Sequence, residues 1–474
     1  MRTGFCAACL LAVASAAVAQ RAAKPSTGDG VAVLMVSDLH FEPFRDPAKT
    51  KTLAQRPAGE WKAILAAPDT ADREARWAEI ERLCPTRGED TDYKLLESSL
   101  RAMRTQADGA KFAIVSGDLI AHSFACKFAA VFPQARPGDY RTFVEKTIAF
   151  VVGSLRETLP GVPVYAALGN NDSDCEDYRL DAHSEFLAVT GKTLTADLGA
   201  EERNVAEKEF AAEGDYSVSL PAPITHARLL VLDDLFLSRQ YASCSGKTEA
   251  APAAEQLAWL RAQLDEARRR KESVWVMTHI PPGVDAYATA TKAANLCSGG
   301  KAKMFLSSEA LAEILANYSD TIRLAIFAHT HMDEVRLLPA AGTAGVAAKI
   351  VASISPINGN KPSFTVARVD AATAGLKDYR VIAAMDKAGT AWSEEYDFAQ
   401  AYGRREFTAA TVGSLIAGFN ADPGAKTSES QSYIHSYGTG MGARTLSLFW
   451  PEYVCALEND GASAFQKCVC GEGK

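Results

Sequence analysis

The chain has 474 residues, 47% of them hydrophobic and 23% charged, with 33 Gly and 20 Pro scattered without a period. That is long enough for a large core with a smaller second unit, and it excludes a disordered, collagenous or coiled-coil protein. Fifty Lys and Arg against 58 Asp and Glu give a net charge of −8, which argues against a protein that holds nucleic acid stably by neutralising its phosphates.

The first 19 residues carry one positive charge at Arg2, an apolar run from Phe5 to Ala14, and small residues ending in Ala17-Val18-Ala19. This pattern predicts a secretory signal peptide over residues 1–19, cleaved before Gln20, and so a secreted or periplasmic protein. The run is shorter than the ~20 residues of a membrane-spanning helix, and no later stretch reaches that length. Cleavage removes Cys6 and Cys9 and leaves eight cysteines, an even number that suits disulfides in an oxidising compartment. None has CxxC spacing, so a zinc ribbon is not expected. The expected pairs are Cys244 with Cys297, and Cys455 with Cys468 or Cys470.

Short apolar and β-branched runs then recur: Val31 to Ser37, Phe112 to Ser116, Val162 to Leu168, Leu229 to Leu232, Val274 to Thr278 and Leu324 to Ala328. They read as buried strands. Helical patterns lie between them at Tyr93 to Ala107, Tyr140 to Leu159 and Ala254 to Lys271, the last with Leu257, Leu260 and Leu264 on one face. Its terminal run Arg268-Arg269-Arg270-Lys271 complements the helix dipole and is not a nucleic-acid patch. Strands alternating with helices indicate an α/β fold. Runs at Glu334 to Leu338, Lys349 to Ser353 and Phe364 to Val369 suggest an added antiparallel section. The segment from Glu42 to Cys84 is long for a connection and is expected to cap the mouth of the site. After Asp370 the β runs thin out, which predicts a catalytic domain over 30–370 and a small, mostly helical, disulfide-containing subdomain over 371–474.

Metal-capable residues sit where the strands end. Asp38 and His40 follow the first, Asp118 the second, Asn170 the third, His279 a fourth, and His329 and His331 a fifth. Open α/β sheets place their sites at carboxyl ends of strands, so seven oxygen and nitrogen donors converge on one edge. Without a thiolate, such a set suits two divalent ions, Zn first, with Fe or Mn also possible, over Ca. Two ions about 3.5 to 4 Å apart acidify a water and clamp an in-line displacement at phosphorus. Asp118, alone at its strand end, is the candidate bridge.

The ordered set Asp-x-His, Gly-Asp, Gly-Asn, His and His-x-His resembles the calcineurin-like metallophosphoesterase superfamily over Val31 to Phe364. The resemblance implies that Asp38, His40 and His331 hold one metal, that Asn170, His279 and His329 hold the other, and that Asp118 bridges them. It also implies a central β-sandwich flanked by helices. A narrower likeness, to acid sphingomyelinase-like phosphodiesterases and endopolyphosphatase-like relatives, rests on Gly117-Asp118-Leu119-Ile120-Ala121-His122, on His279-Ile280-Pro281-Pro282-Gly283 and on Ala328-His329-Thr330-His331. Asp378-Tyr379, Trp392, Glu395-Tyr396 and Cys455 to Cys470 look like that group's helical C-terminal subdomain. No saposin-like segment precedes the catalytic region.

Most members of the superfamily carry a histidine after the Gly-Asn; here that place is Asn171, and an amide is no general acid near neutral pH. His122 is the expected proton donor in its stead, with Asn171 donating a hydrogen bond to a phosphoryl oxygen and Asp172 orienting the loop. His183, His226 and His435 are expected to be structural. Tyr178, Tyr241 and Tyr287 are candidates to line the mouth, whose loops at Ser173 to Lys208 and Asp285 to Lys303 carry no readable substrate code.

The expected function is hydrolysis of a phosphodiester or phosphoanhydride in a nucleotide, polyphosphate or phospholipid headgroup. The alternatives are a phosphomonoesterase and a catalytically inactive metal-binding protein. A purple acid phosphatase is disfavoured because Ala121 stands where those enzymes place a tyrosine. Oligomeric state has no signal in the sequence.

Overall fold

The computed structural model describes residues 30–290, 293–438 and 442–471, so the expected signal peptide lies outside the described residues. Twelve strands form two six-stranded sheets. The first runs β12(Trp392–Asp397), β11(Leu376–Ala384), β10(Ser363–Val369), β1(Val31–Val36), β2(Phe112–Val115), β3(Val164–Ala166). The second runs β4(Tyr216–Ser219), β5(Ala227–Val231), β6(Ser273–Met277), β7(Ile322–Phe327), β9(Val346–Ile350), β8(Glu334–Leu338).

The sheets pack face to face because their strands are apolar on both sides. In β6, Trp275 and Met277 join the core between the sheets, while Val274 and Val276 join a second core beneath the helix Ala251–Arg270. That alternation is the period of two expected of a strand. Trp275 lies 5.8 Å from Phe112 of the opposite sheet, and its indole N–H donates to the Ala374 carbonyl, so the large ring leaves no polar atom unpaired. β1 is buried along its whole length, parallel to β2 and antiparallel to β10. Helices form where their signals stood. Asp92 caps Tyr93–Gln106 by accepting from the Leu95 N–H, and Leu95, Leu96, Ser99, Ala102 and Met103 bury one stripe. At the end of Ala251–Arg270, Arg268 pairs with Asp320 at 2.6 Å and lies 4.1 Å above the Tyr318 ring.

Several expectations change. β4, β11 and β12 lie outside the runs expected to be strands; of these β12 carries Ser393, Glu394 and Glu395 at a sheet edge and has no apolar run. β11 and β12 extend the first sheet past residue 370, so Asp378, Tyr379, Trp392, Glu395 and Tyr396 lie on strands and not in a helical unit. Past residue 370, helices begin at Phe398, and the rest of the described chain from there is mostly helical. In the later section β8 and β10 are antiparallel to their partners, but β9 is parallel to β7, because the chain turns back after β8 and inserts between the two.

The segment 42–84 does not cap the mouth. It folds into the helices Pro47–Gln55, Trp61–Ala66 and Arg73–Leu83, and buried Trp61 packs 5.5 Å from Phe143 and from Phe150 of the helix Asp139–Thr158. Its aromatic and aliphatic residues find a larger apolar surface there than the site edge offers. The disulfides are Cys84–Cys126, Cys175–Cys244, Cys297–Cys470 and Cys455–Cys468. The Cys455–Cys468 expectation holds. Cys244 pairs instead with Cys175, 69 residues earlier in the chain and beyond two helices and two strands, and Cys297 reaches the C-terminal helix. Distant pairings of this kind are set by the fold and not by spacing.

Candidate metal centre

The seven expected donors meet in one recess of about 300 Å³, whose walls include Asp118, Asn170, His329 and His331. Each arrives on a turn leaving a strand. Five of the seven, Asp38, His40, Asp118, His329 and His331, have φ between 42 and 69°, a conformation that disfavours side chains bearing a Cβ. The backbone holds them there: the Asp38 N–H donates to the Gly117 carbonyl at 3.0 Å and the His40 N–H to the Asp118 carbonyl at 2.9 Å. Gly117 has φ +95°, and a Cβ on it would lie 2.7 Å from His279 Nδ1; a Cβ on Gly169 would lie 2.4 Å from the Asp118 N. Both glycines let backbone approach backbone beneath the donors.

Hydrogen bonds behind the rings aim them. His40 Nδ1 donates to the Ile120 carbonyl at 2.9 Å, and His279 Nδ1 donates to the Ser116 carbonyl at 2.8 Å, so both present Nε2 to the centre. Asp118 Oδ2 then lies 3.3 Å from His40 Nε2 and 3.2 Å from His279 Nε2, between the two groups. On one side His331 Nε2 is 3.2 Å from His40 Nε2 and 3.5 Å from Asp38 Oδ1. On the other, Asn170 Oδ1 is 3.1 Å from His279 Nε2, and the His329 ring centroid is 5.2 Å from that of His279. The Asn170 amide is oriented by its Nδ2, which donates to Asp177 at 2.7 Å.

The electrostatics follow from the crowding. Burial opposes charge on His40 and His279, but Asp118, with Asp38, outweighs it and raises them to about 9 and about 10. Burial and then the neighbouring histidines lower His329 to about 4 and His331 to about 3. Burial raises the Asp118 carboxyl less than His279 and His40 lower it, leaving it well below the usual carboxylate range. Both Asp38 oxygens are buried without a hydrogen-bond donor. A buried carboxylate left without donors, facing imidazole nitrogens 3.2 Å apart, is a donor set that a divalent cation completes. The residues fit two such ions.

The other expected residues are also placed. His122 lies on the same wall, its ring stacked 4.0 Å from His40, and its Nδ1 is 3.0 Å from Asp90. Asn171 lines the recess, and its backbone N–H and its Nδ2 both donate to Asp118, each at 2.9 Å, which leaves the second Nδ2–H without an assigned acceptor. Asp172 accepts from the N–H groups of Leu119, Ile120 and Gly169 and so ties two strand-end loops together. Tyr178 lines the recess and its hydroxyl is 3.3 Å from His329 Nε2. Tyr241 is buried against Phe236, and Tyr287 lies in a neighbouring cavity. His183 and His435 face Glu213 and Glu395 on the outer surface. Sequence reasoning missed Asp90, Asp177 and Arg87. None stands in a motif; Asp90 is one acid among several in an ordinary loop, and only folding sets it under His122.

The family profile of calcineurin-like phosphoesterases matches residues 31–333. Acid sphingomyelinase-like phosphodiesterase 3b of Homo sapiens is 24% identical over 456 residues, covering 92% of this chain and 90% of that protein. Cyclic GMP-AMP phosphodiesterase SMPDL3A of Mus musculus is 23% identical over 397 residues, covering 80% and 82%. Sphingomyelinase phosphodiesterase D of Dictyostelium discoideum is 24% identical over 331 residues, covering 66% of each.

Proposed function

Because this chain belongs to the calcineurin-like phosphoesterase family, metal-dependent hydrolases of phosphoric esters that work with a dinuclear centre, we propose that it is an exported phosphodiesterase acting on a nucleotide, a polyphosphate or a lipid headgroup. The observation that carries the reading is the placement of Asp118 Oδ2 within 3.3 Å of both His40 and His279, with the remaining donors divided on its two sides. In this reading Asp38, His40 and His331 hold one ion, Asn170, His279 and His329 the other, and Asp118 bridges. When bound, the two ions supply Lewis acidity toward a phosphoryl oxygen and a water acidic enough to attack at neutral pH.

The chain's own residues do the rest. Asn171 holds both oxygens of Asp118 through its two N–H groups and so fixes the bridge. Asp90 holds His122 by Nδ1, which leaves Nε2 as the atom that delivers a proton to the departing alcohol. Asp90 is itself fixed, accepting from the Ser355 hydroxyl at 2.8 Å and the His122 backbone N–H at 2.9 Å. It is the orienting member of the dyad, as a carboxylate behind a catalytic imidazole sets its tautomer. Arg87, at the edge of the recess, adds positive charge where phosphate arrives. The four disulfides support export to an oxidising compartment, and no helix among the described residues is long and apolar enough to cross a membrane.

The test is turnover of bis(p-nitrophenyl) phosphate against p-nitrophenyl phosphate by protein of measured metal content, with Asp118→Asn as control. Preference for the diester and a dead control are expected. Preference for the monoester promotes a phosphomonoesterase, and two bound metals without turnover of either ester leaves a binding protein.

A further inference from the structure

His329 lines both the metal recess and a second cavity of about 490 Å³, and the two spaces also share Arg87, Ile357 and Asn358. The His329 ring is met edge to face from two directions, by Phe305 at 5.7 Å and by Tyr178 at 6.2 Å. Of these two only Tyr178 belongs to the wall of the recess, and it brings a hydroxyl to within 3.3 Å of His329 Nε2.

We propose that the Tyr178 hydroxyl donates a hydrogen bond to a phosphoryl oxygen of the ester, standing at the His329 side of the centre as His122 stands at the His40 side. The inference rests on the phosphodiesterase reading above. Three observations carry it. The first is the direction of the hydroxyl. His329 offers Nε2 to Tyr178, which leaves Nδ1 as the nitrogen for an ion, and an imidazole that binds an ion through one nitrogen carries its proton on the other. Nε2–H then donates to the hydroxyl oxygen, so the hydroxyl's own proton is left for a second partner. Among the described residues the hydroxyl has no other hydrogen-bond partner.

The second is how the residue is mounted. Tyr178 has φ +59°, a conformation that a bulky side chain adopts only where its surroundings impose it. Its N–H donates to the Asn170 carbonyl at 3.0 Å, its carbonyl accepts from the Ala242 N–H at 3.1 Å, and the disulfide Cys175–Cys244 ties the same two segments together. The preceding residue, Asp177, is the one that orients the Asn170 amide. One short stretch therefore aims both a metal ligand and the phenol.

The third is the chemistry of the wall. Negative charge grows on the phosphoryl oxygens during the reaction, and a donor fixed beforehand stabilises it without reorganising. With Asn171 in place of the usual histidine, the neutral donors that line the recess are few, and Tyr178 is the phenol among them. A phenol donates at neutral pH without giving up its proton, so its role is charge stabilisation and not acid catalysis.

The experiment uses Tyr178→Phe, which removes one oxygen and keeps the ring. Zn-loaded parent and variant are compared in turnover of bis(p-nitrophenyl) phosphate, in calorimetric binding of tungstate, in metal content and in melting temperature. Tungstate is a tetrahedral dianion whose oxygens carry charge as those of the transition state do. In the variant kcat is expected to fall about 10- to 100-fold with KM little changed, and tungstate to bind about tenfold more weakly. Metal content and melting temperature should stay as in the parent. Unchanged tungstate affinity in folded, fully loaded variant overturns the assignment and leaves the phosphodiesterase reading intact. Loss of metal overturns it too, since the hydroxyl then only steadies His329. If the parent turns over no ester but the loaded variant still loses tungstate, the donor assignment stands and the phosphodiesterase reading falls. A parent that neither turns over an ester nor binds tungstate overturns both.

Discussion

The metal centre and the cavity beside it share four residues and are built in opposite ways. The centre is assembled from strand ends: Asp38 and His40 are fixed by backbone hydrogen bonds to the turn that follows the neighbouring strand, and five of the donors sit in a strained left-handed conformation. Strain of about 1 kcal/mol or more at each such residue persists only where the surroundings over-determine it. The cavity is assembled from loops and short helices, and its walls depend on two disulfides and on aromatic contacts. Rigid sheet edges hold atoms that must be placed to a fraction of an ångström, while loops supply the shape that selects what is bound.

The largest effect should come from the centre. Asp118→Asn is expected to lower kcat by more than about a thousandfold, because it weakens both metal sites together. Chelation should do the same to the unaltered protein and lower its melting temperature, with both restored by added Zn, Mn or Fe; the readout is metal content against turnover and melting. Retained activity after complete metal removal would break the comparison at its root.

Next comes Asp90→Asn, expected to cost about 10- to 100-fold in kcat with KM little changed, because His122 keeps its place but loses its orienting partner. This substitution has a stability signature too. Burial pushes the Asp90 carboxyl up, but His122, His40 and Lys127 outweigh it and hold it below the ordinary carboxylate range. A folded-state value below the unfolded one, near 3.9, gives stability that is present at neutral pH and lost as pH falls below about 4. In metal-free protein, urea midpoints should therefore differ most between Asp90 and Asn at pH 7, and the difference should begin to shrink as pH falls below about 4.

Opening the Cys297–Cys470 bridge with serines sharpens the contrast. Loss of a native disulfide typically costs about 2 to 5 kcal/mol, and here the damage should fall on the cavity. The melting temperature is expected to drop, with metal stoichiometry unchanged. Loss of metal in that variant would show that the two regions are one unit. The smallest effect is expected at Arg269→Ala on the outer helix end, within about 0.5 kcal/mol by urea melting, since exposed ion pairs contribute little.

The sequence made the centre legible because each donor follows a buried apolar strand, and a strand end is a local feature. Asp38, His40, Asp118, Asn170, His279, His329 and His331 are all found in one recess or at its wall. Local signals failed where partners are distant. Asp90 reaches His122 across 32 residues, Cys297 reaches Cys470 across 173, and nothing near either residue announces the contact. The edge strand β12 was missed because an edge tolerates charge where a central strand does not. The segment 42–84 was misplaced because length says that a loop is unusual and not where its apolar face will go.

Taken alone, then, the sequence determined the alternation of strands and helices, the chemistry of the donors, and that they share one edge, since burial and chain direction are written residue by residue. Only the tertiary structure decided that Asn171 holds the Asp118 carboxylate, that His122 has Asp90 behind it, and that the C-terminal helices close a cavity against β8. Those are contacts between residues far apart in the chain, and their free energy exists only once the two sheets have packed.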